Sequence, residues 1–206
     1  MKYIFIIGAP GSKWSSVSKN IYYSPSIDNT DYSESRQYWH NAPGDLQLMH
    51  LGAYFDPGME FGDFFDKIDQ YSRGECEIEL DRPFSGDGIR IIKSHVLSHH
   101  IDFIKNTWPD CPVITCYRNS DENLGWWVRC GHFNITYPLY HKYYVNLCEM
   151  GKIIDQQNSC IADANERYSG TEIIDNVHLC DVLGIDLPSE EYRQNYKNSD
   201  VKVTLL

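Results

Sequence analysis

Tyr3-Ile4-Phe5-Ile6-Ile7 is an unbroken β-branched and aromatic run that stops at Gly8-Ala9-Pro10-Gly11-Ser12. A strand that is apolar at every position has no side to show to water, so both of its faces must be covered, as in sheets flanked by helices. Gly88-Ile89-Arg90-Ile91-Ile92-Lys93 and Pro112-Val113-Ile114-Thr115-Cys116-Tyr117 repeat the pattern. Helical signals follow each run. A helix is expected from about Lys13 to Tyr22. Leu97, Ile101, Ile104 and Trp108 recur at 3.6-residue spacing until Pro109, and Ser120-Asp121-Glu122 reads as a capped helix start with two acids in its first turn. Alternating strands and helices predict an α/β fold with a mostly parallel sheet.

Other segments fill in around this frame. Phe61, Phe64, Phe65, Ile68 and Tyr71 predict a helix over 59–72, after Pro57-Gly58. Tyr140, Tyr143, Leu147, Met150 and Ile154 mark a long amphipathic helix, and Val177, Leu179, Cys180, Val182 and Leu183 a last one ending at Gly184. Residues 22–58 carry little periodicity but much Ser, Asp, Asn, Tyr and Trp. They are expected to form a lid or acceptor-binding insertion within a single domain spanning residues 1–206.

Charge and cysteine usage exclude several classes. With 18 Lys+Arg against 29 Asp+Glu the chain carries −11, which excludes the broad basic footprint of a nucleic-acid binder but permits one local anion pocket. No apolar run reaches about 18 residues and no cleavable leader pattern opens the chain, so no membrane association is expected. The seven cysteines are scattered without a Cys-x-x-Cys pair, which argues against a disulfide framework or a zinc site and for a cytoplasmic protein. His99 and His100 lack a partner at ligand spacing, and no metal is expected.

Parallel sheets bind ligands at the carboxyl ends of their strands, which directs attention to three places. After the first strand, Pro10, Gly11, Ser12, Lys13, Trp14, Ser15 and Ser16 form a small-residue turn into a helix start, which can offer N–H groups, a helix dipole and a Lys to a phosphate. Gly8, Gly11 and Lys13 do not fall at Walker A spacing, and an ordinary Gly/Pro turn without ligand is the plain alternative. After the second strand, Lys93 and His95 are two apart and project to one side, so His95 suits a general base and Lys93 charge stabilisation. The alternative is a surface Lys and a His on a polar edge. After the third strand, Arg118 can fork two donors onto a phosphate, or simply pair with Asp121 or Glu122.

Taken in this order, the three sites resemble the sulfotransferase family that uses 3′-phosphoadenosine 5′-phosphosulfate (PAPS). Pro10-Gly11-Ser12-Lys13-Trp14-Ser15-Ser16 is similar to that family's Pro-Lys-Ser-Gly-Thr-Thr-Trp loop, Lys93-Ser94-His95 to its Lys-Thr-His, and Arg118-Asn119-Ser120-Asp121 to its Arg-Asn-Pro-x-Asp. The segment from Val177 to Ile185 also resembles the family's late helix. The resemblance implies a three-layer sandwich with a mostly parallel central sheet, like that of P-loop nucleotide hydrolases, with PAPS as co-substrate. His95 would be the catalytic base, Lys13 and Lys93 would stabilise charge, and Arg118 would open the 3′-phosphate site.

The chain departs from the family pattern at three points. The loop Lys is displaced by two positions, Trp126 stands where the family has a Ser, and no C-terminal Gly-x-x-Gly-x-Trp-Lys is present. Selectivity for the 3′-phosphate is therefore expected to rest on Arg118 with Ser120 or Arg129 and to be weaker than the family norm. The expected acceptor is a small molecule or glycan, met by an aromatic wall of Tyr22, Tyr23, Tyr32, Tyr38, Trp39 and Tyr54, unless these residues merely pin the loop down. Two other readings stay open: a P-loop nucleotide or nucleoside kinase, which would need Mg²⁺ and an acidic strand end, and a degenerate nucleotide-binding protein.

Overall fold

The computed structural model describes residues 1–31, 38–41, 47–57, 61–130, 145–190 and 200–206. Its first half comprises β1 (Tyr3–Gly8), α1 (Trp14–Tyr22), a hairpin of β2 (Tyr38–Asn41) and β3 (Gln47–His50), α2 (Arg73–Asp81) and β4 (Arg90–Ser94). Then come α3 (Ile101–Thr107), β5 (Val113–Tyr117), α4 (Ser120–Arg129), α5 (Leu147–Arg167), β6 (Thr171–Glu172), α6 (Asn176–Leu183) and β7 (Lys202–Leu205).

The main sheet has the order β4-β1-β5-β7-β6. β1 pairs parallel with β4 and β5, placing Ile6 between Lys93 and Ile114. Beyond β5 the sheet turns antiparallel: Thr115 faces Thr204 across β5 and β7, and Glu172 faces Thr204 across β6 and β7. The sheet is thus mixed, a correction to the mostly parallel arrangement expected from the sequence. The strand that changes it is the C-terminal one, which joins β5 antiparallel and so needs no crossover helix of its own to arrive there.

β1 explains why both faces must be covered. Its odd-numbered side chains Tyr3, Phe5 and Ile7 enter one core with Ile101, Ile104, Trp108 and Ile161, whereas Ile4 and Ile6 enter a second with Trp14, Val17, Ile21 and Leu179. This is the period-two alternation of a strand used twice. α1 and α6 therefore lie on one face, α3 and α5 on the other.

Several expected boundaries move. Of the predicted 59–72 helix, the described residues 61–72 form only a 3-10 segment at Phe65–Gln70, with Lys67 off helical geometry. Ser72 instead starts α2, in a reciprocal capping box with Glu75 that the sequence reading overlooked. The helix after β4 opens as a 3-10 turn, Val96–His100, before α3. Asn119 rather than Ser120 caps α4, accepting the Asp121 N–H. α5 starts at Leu147, capped by Asn146; Tyr140 and Tyr143 lie outside the described residues. α6 ends as expected at Gly184, whose left-handed φ of 63° closes the helix. Among the described residues no helix is long and apolar enough to cross a membrane.

Candidate functional site

β4, β1 and β5 are parallel neighbours, so their carboxyl ends at Ser94, Gly8 and Tyr117 sit side by side. The chain leaves β1 into α1 on one face, but leaves β4 towards α3 on the other. Such a divergence opens a crevice at the strand ends, the usual ligand position in α/β sheets.

The turn after β1 is tight. Ser12 N–H donates to the Ala9 carbonyl at 3.0 Å with Gly11 at φ 81°, the geometry that Pro followed by Gly favours in a type II turn. Lys13 follows in left-handed conformation, φ 61°, and no side chain caps α1. A Cβ on Gly11 would collide with the Asn123 carbonyl, so the turn is pressed against α4. Pro10, Ser12 and Trp14 are buried, whereas Lys13, Ser15 and Ser16 are half-buried. The Ser12 hydroxyl is buried with no hydrogen-bond partner among the described residues.

His95 packs directly on this turn. Its ring stacks on Trp14 with centroids 3.9 Å apart, and Nδ1 meets the Gly8 carbonyl oxygen. A carbonyl can only accept, so Nδ1 carries the proton and Nε2 the lone pair. Burial holds the imidazole below its usual pKa, against the opposing pull of Asp56. Asp56, buried between Phe55 and Pro57, fixes the backbone around it: one carboxylate oxygen accepts from Ser94 Oγ (3.0 Å) and from the N–H groups of His95 (2.6 Å) and Val96 (2.9 Å). The sequence reading missed Asp56, which sits in a stretch without periodicity.

β4 ends at Ser94 and His95 has helical backbone geometry, so strand alternation does not relate the two side chains; Lys93, like His95, approaches Tyr54, and it is sealed in. Its amine donates to the Leu51 carbonyl and sits 5.2 Å from the centre of the Tyr54 ring, and burial pushes its pKa down to about 8. Tyr54 also accepts the Trp14 indole N–H at 2.9 Å. Tyr22 and Tyr54 are thus core residues rather than an open acceptor wall, and Tyr23 is only half-buried. Tyr32, and the side chains of Tyr38 and Trp39, lie outside the described residues.

The third strand end brings cations to the turn. Lys13 Nζ lies 4.5 Å from the centre of the Trp126 ring, and the Arg129 guanidinium approaches the same ring at 5.8 Å. Burial and the nearby charges of Arg118 and Arg129 lower the Lys13 pKa. Trp126 therefore holds basic side chains near the turn. Arg118 is buried, donates to the Glu122 carbonyl at 3.0 Å and keeps Nε 3.4 Å from the Glu122 carboxylate, so the pairing raised from the sequence is present. Asn158 of α5 braces this end, donating to the Arg118 carbonyl (2.9 Å) and Ser120 Oγ (3.0 Å). The Asn123 amide, buried against the turn, has neither its nitrogen nor its oxygen partnered among the described residues.

Ser12 and Asn123 are unsatisfied polar groups beside three cations, a donor-rich environment suited to an anion. A separate cavity of about 300 Å³ between Tyr117, Asn165, Lys202 and Thr204 includes none of the three sites' basic or imidazole groups. Among the described residues no three His, Cys, Asp or Glu side chains gather as metal ligands. No family model matches the chain, and no curated protein or solved structure matches it either.

Proposed function

We propose that the chain is a sulfotransferase that moves the sulfuryl group of PAPS to a hydroxyl or amine of a small-molecule or glycan acceptor, on a P-loop-like three-layer α/β framework. The observation that carries this reading is the contact of His95 with the turn of residues 8–14: a neutral imidazole is held at the Gly8 carbonyl and on Trp14, the residue next to Lys13 in the chain. Lys13, Ser12, Asn123 and the uncapped start of α1 suit the 5′-phosphosulfate end, and Arg118 with Arg129 suits the second phosphate.

PAPS, when bound, supplies an activated sulfuryl group on a phosphate leaving group. His95 Nε2 takes the acceptor's proton, and Asp56 holds the imidazole's backbone in place. Lys13, with turn N–H groups not already bonded within the turn, would stabilise the charge that builds on the leaving oxygen. Lys93 is better suited to fixing Tyr54 and the Leu51 strand end than to meeting substrate. We also propose a cytoplasmic site of action, where the chain's cysteines remain thiols.

Calorimetry against 3′,5′-ADP, 5′-AMP and ATP with Mg²⁺ tests the reading. We expect 3′,5′-ADP to bind more tightly than 5′-AMP, and Arg118→Ala to lose about 1.5–3 kcal/mol of that binding, as for a lost hydrogen bond to charge. His95→Asn should keep the nucleotide affinity and lose about 10²–10⁴-fold in transfer. A preference for ATP with Mg²⁺ would replace this reading with a kinase.

A further inference from the structure

A second cavity, about 160 Å³, opens beside Asp56, between Asp56, Pro57 and Asp66, the 3-10 turn after β4 and the face of α5. Two of the side chains that line it are at least nine-tenths buried and each leaves an oxygen without a partner among the described residues: Asp56 Oδ2 and Gln157 Oε1. Both are acceptors, so the missing complement is a donor. The charge at the cavity is one-sided. Among the described residues, Asp56 and Asp66 line it, no Lys or Arg does, and the one basic lining group, the imidazole of His99, is kept below its usual pKa by burial. A buried carboxylate lacking a counter-charge is costly, and Asp56 has no ion pair among the described residues. Lys93 feels its charge but gives its amine to Leu51. Val96 and Ile153 supply an apolar wall beside these acceptors.

From this juxtaposition we infer a binding site for a short aliphatic primary amine, held as its ammonium ion by Asp56 Oδ2 and Gln157 Oε1, with its alkyl stem on Val96 and Ile153 and Asp66 at the mouth. The ammonium supplies the donors that the two oxygens lack and the charge that the buried carboxylate lacks. Because Asp56 Oδ1 holds the Ser94 hydroxyl and the backbone N–H groups of His95 and Val96, an occupant here would touch the support of His95 from behind. The inference does not rest on the nucleotide reading.

The test is ¹⁵N NMR titration of the whole chain with n-butylammonium chloride, with 1-butanol and potassium chloride as parallel arms. Saturable shifts are expected for the amides of Val96, His99 and residues 153–157 with butylammonium alone. Gln157→Leu, which removes one acceptor without creating a buried charge, should weaken binding by about tenfold or more, and Asp66→Asn by a smaller factor. Asp56→Asn is less useful, because it disturbs three hydrogen bonds of the His95 turn. No saturable shift, as when ordered water alone fills the cavity, would overturn the inference. So would equal responses to butanol or potassium, or unchanged affinity in a folded Gln157→Leu.

Discussion

At the residue scale the decisive group is His95, because its burial sets both its tautomer and its charge. An unfolded chain protonates a histidine near pH 6.5, whereas the folded imidazole resists the proton to lower pH. Below about pH 6.5 the unfolded state therefore binds more protons than the native one, and folding stability falls as pH falls. Asp56 shifts the other way: burial raises its pKa, which favours the native state as its carboxylate protonates in more acidic solution. The stability advantage of the native chain over His95→Gln should shrink between pH 7 and pH 5, as read by urea denaturation at each pH. A constant difference would mean that His95 is not held neutral by burial. The positions of His95 and Arg118 at strand ends could be read from local sequence, since each follows an apolar run. The support given by Asp56, 39 residues from His95, could not.

At the element scale, the turn between β1 and α1 limits what the site can be. Gly11 is required twice over: its φ of 81° costs an L-residue about 1–2 kcal/mol, and a Cβ would meet the α4 backbone at Asn123. Gly11→Ala should destabilise the chain by at least about that amount and weaken 3′,5′-ADP binding more than Ser72→Ala does. Ser72→Ala, which breaks only the α2 capping box, should cost about 1 kcal/mol and leave the nucleotide affinity alone. Thermal melts and calorimetry on the two variants check this; equal losses of affinity would show that the turn takes no part in binding.

At the scale of the whole molecule, a chain of charge −11 places Lys13 and Arg118 where the ends of β1 and β5 and the starts of α1 and α4 meet, with Arg129 approaching Trp126 from the last turn of α4. The sheet that gathers them is unevenly anchored. β1 lies between two partners and contributes to both cores, whereas β6 is a two-residue edge with exposed side chains. Native-state hydrogen exchange should protect the β1 amides up to global unfolding and those of Thr171 and Glu172 less, by a factor on the order of 100. Equal protection would make the sheet one cooperative unit out to its edge.

The sequence by itself determined the β1, β4 and β5 strands, the helices that follow them, and the turn at Pro10-Gly11, because hydrophobic period and turn chemistry are local properties of a few adjacent residues. The shared side expected for Lys93 and His95 from strand alternation does not carry over, because β4 ends at Ser94 and His95 already has helical backbone geometry. Only the tertiary structure decided that β7 enters antiparallel and makes the sheet mixed, that Tyr22 and Tyr54 are core rather than wall, and that Trp126 carries Lys13. The Asp56 turn, with the orphaned oxygens of Asp56 and Gln157 in one cavity, belongs with these. Their physical reason is shared: each depends on contacts between residues distant in the chain, where burial and unmet hydrogen bonds are set by what packs alongside and leave no period in the sequence to read.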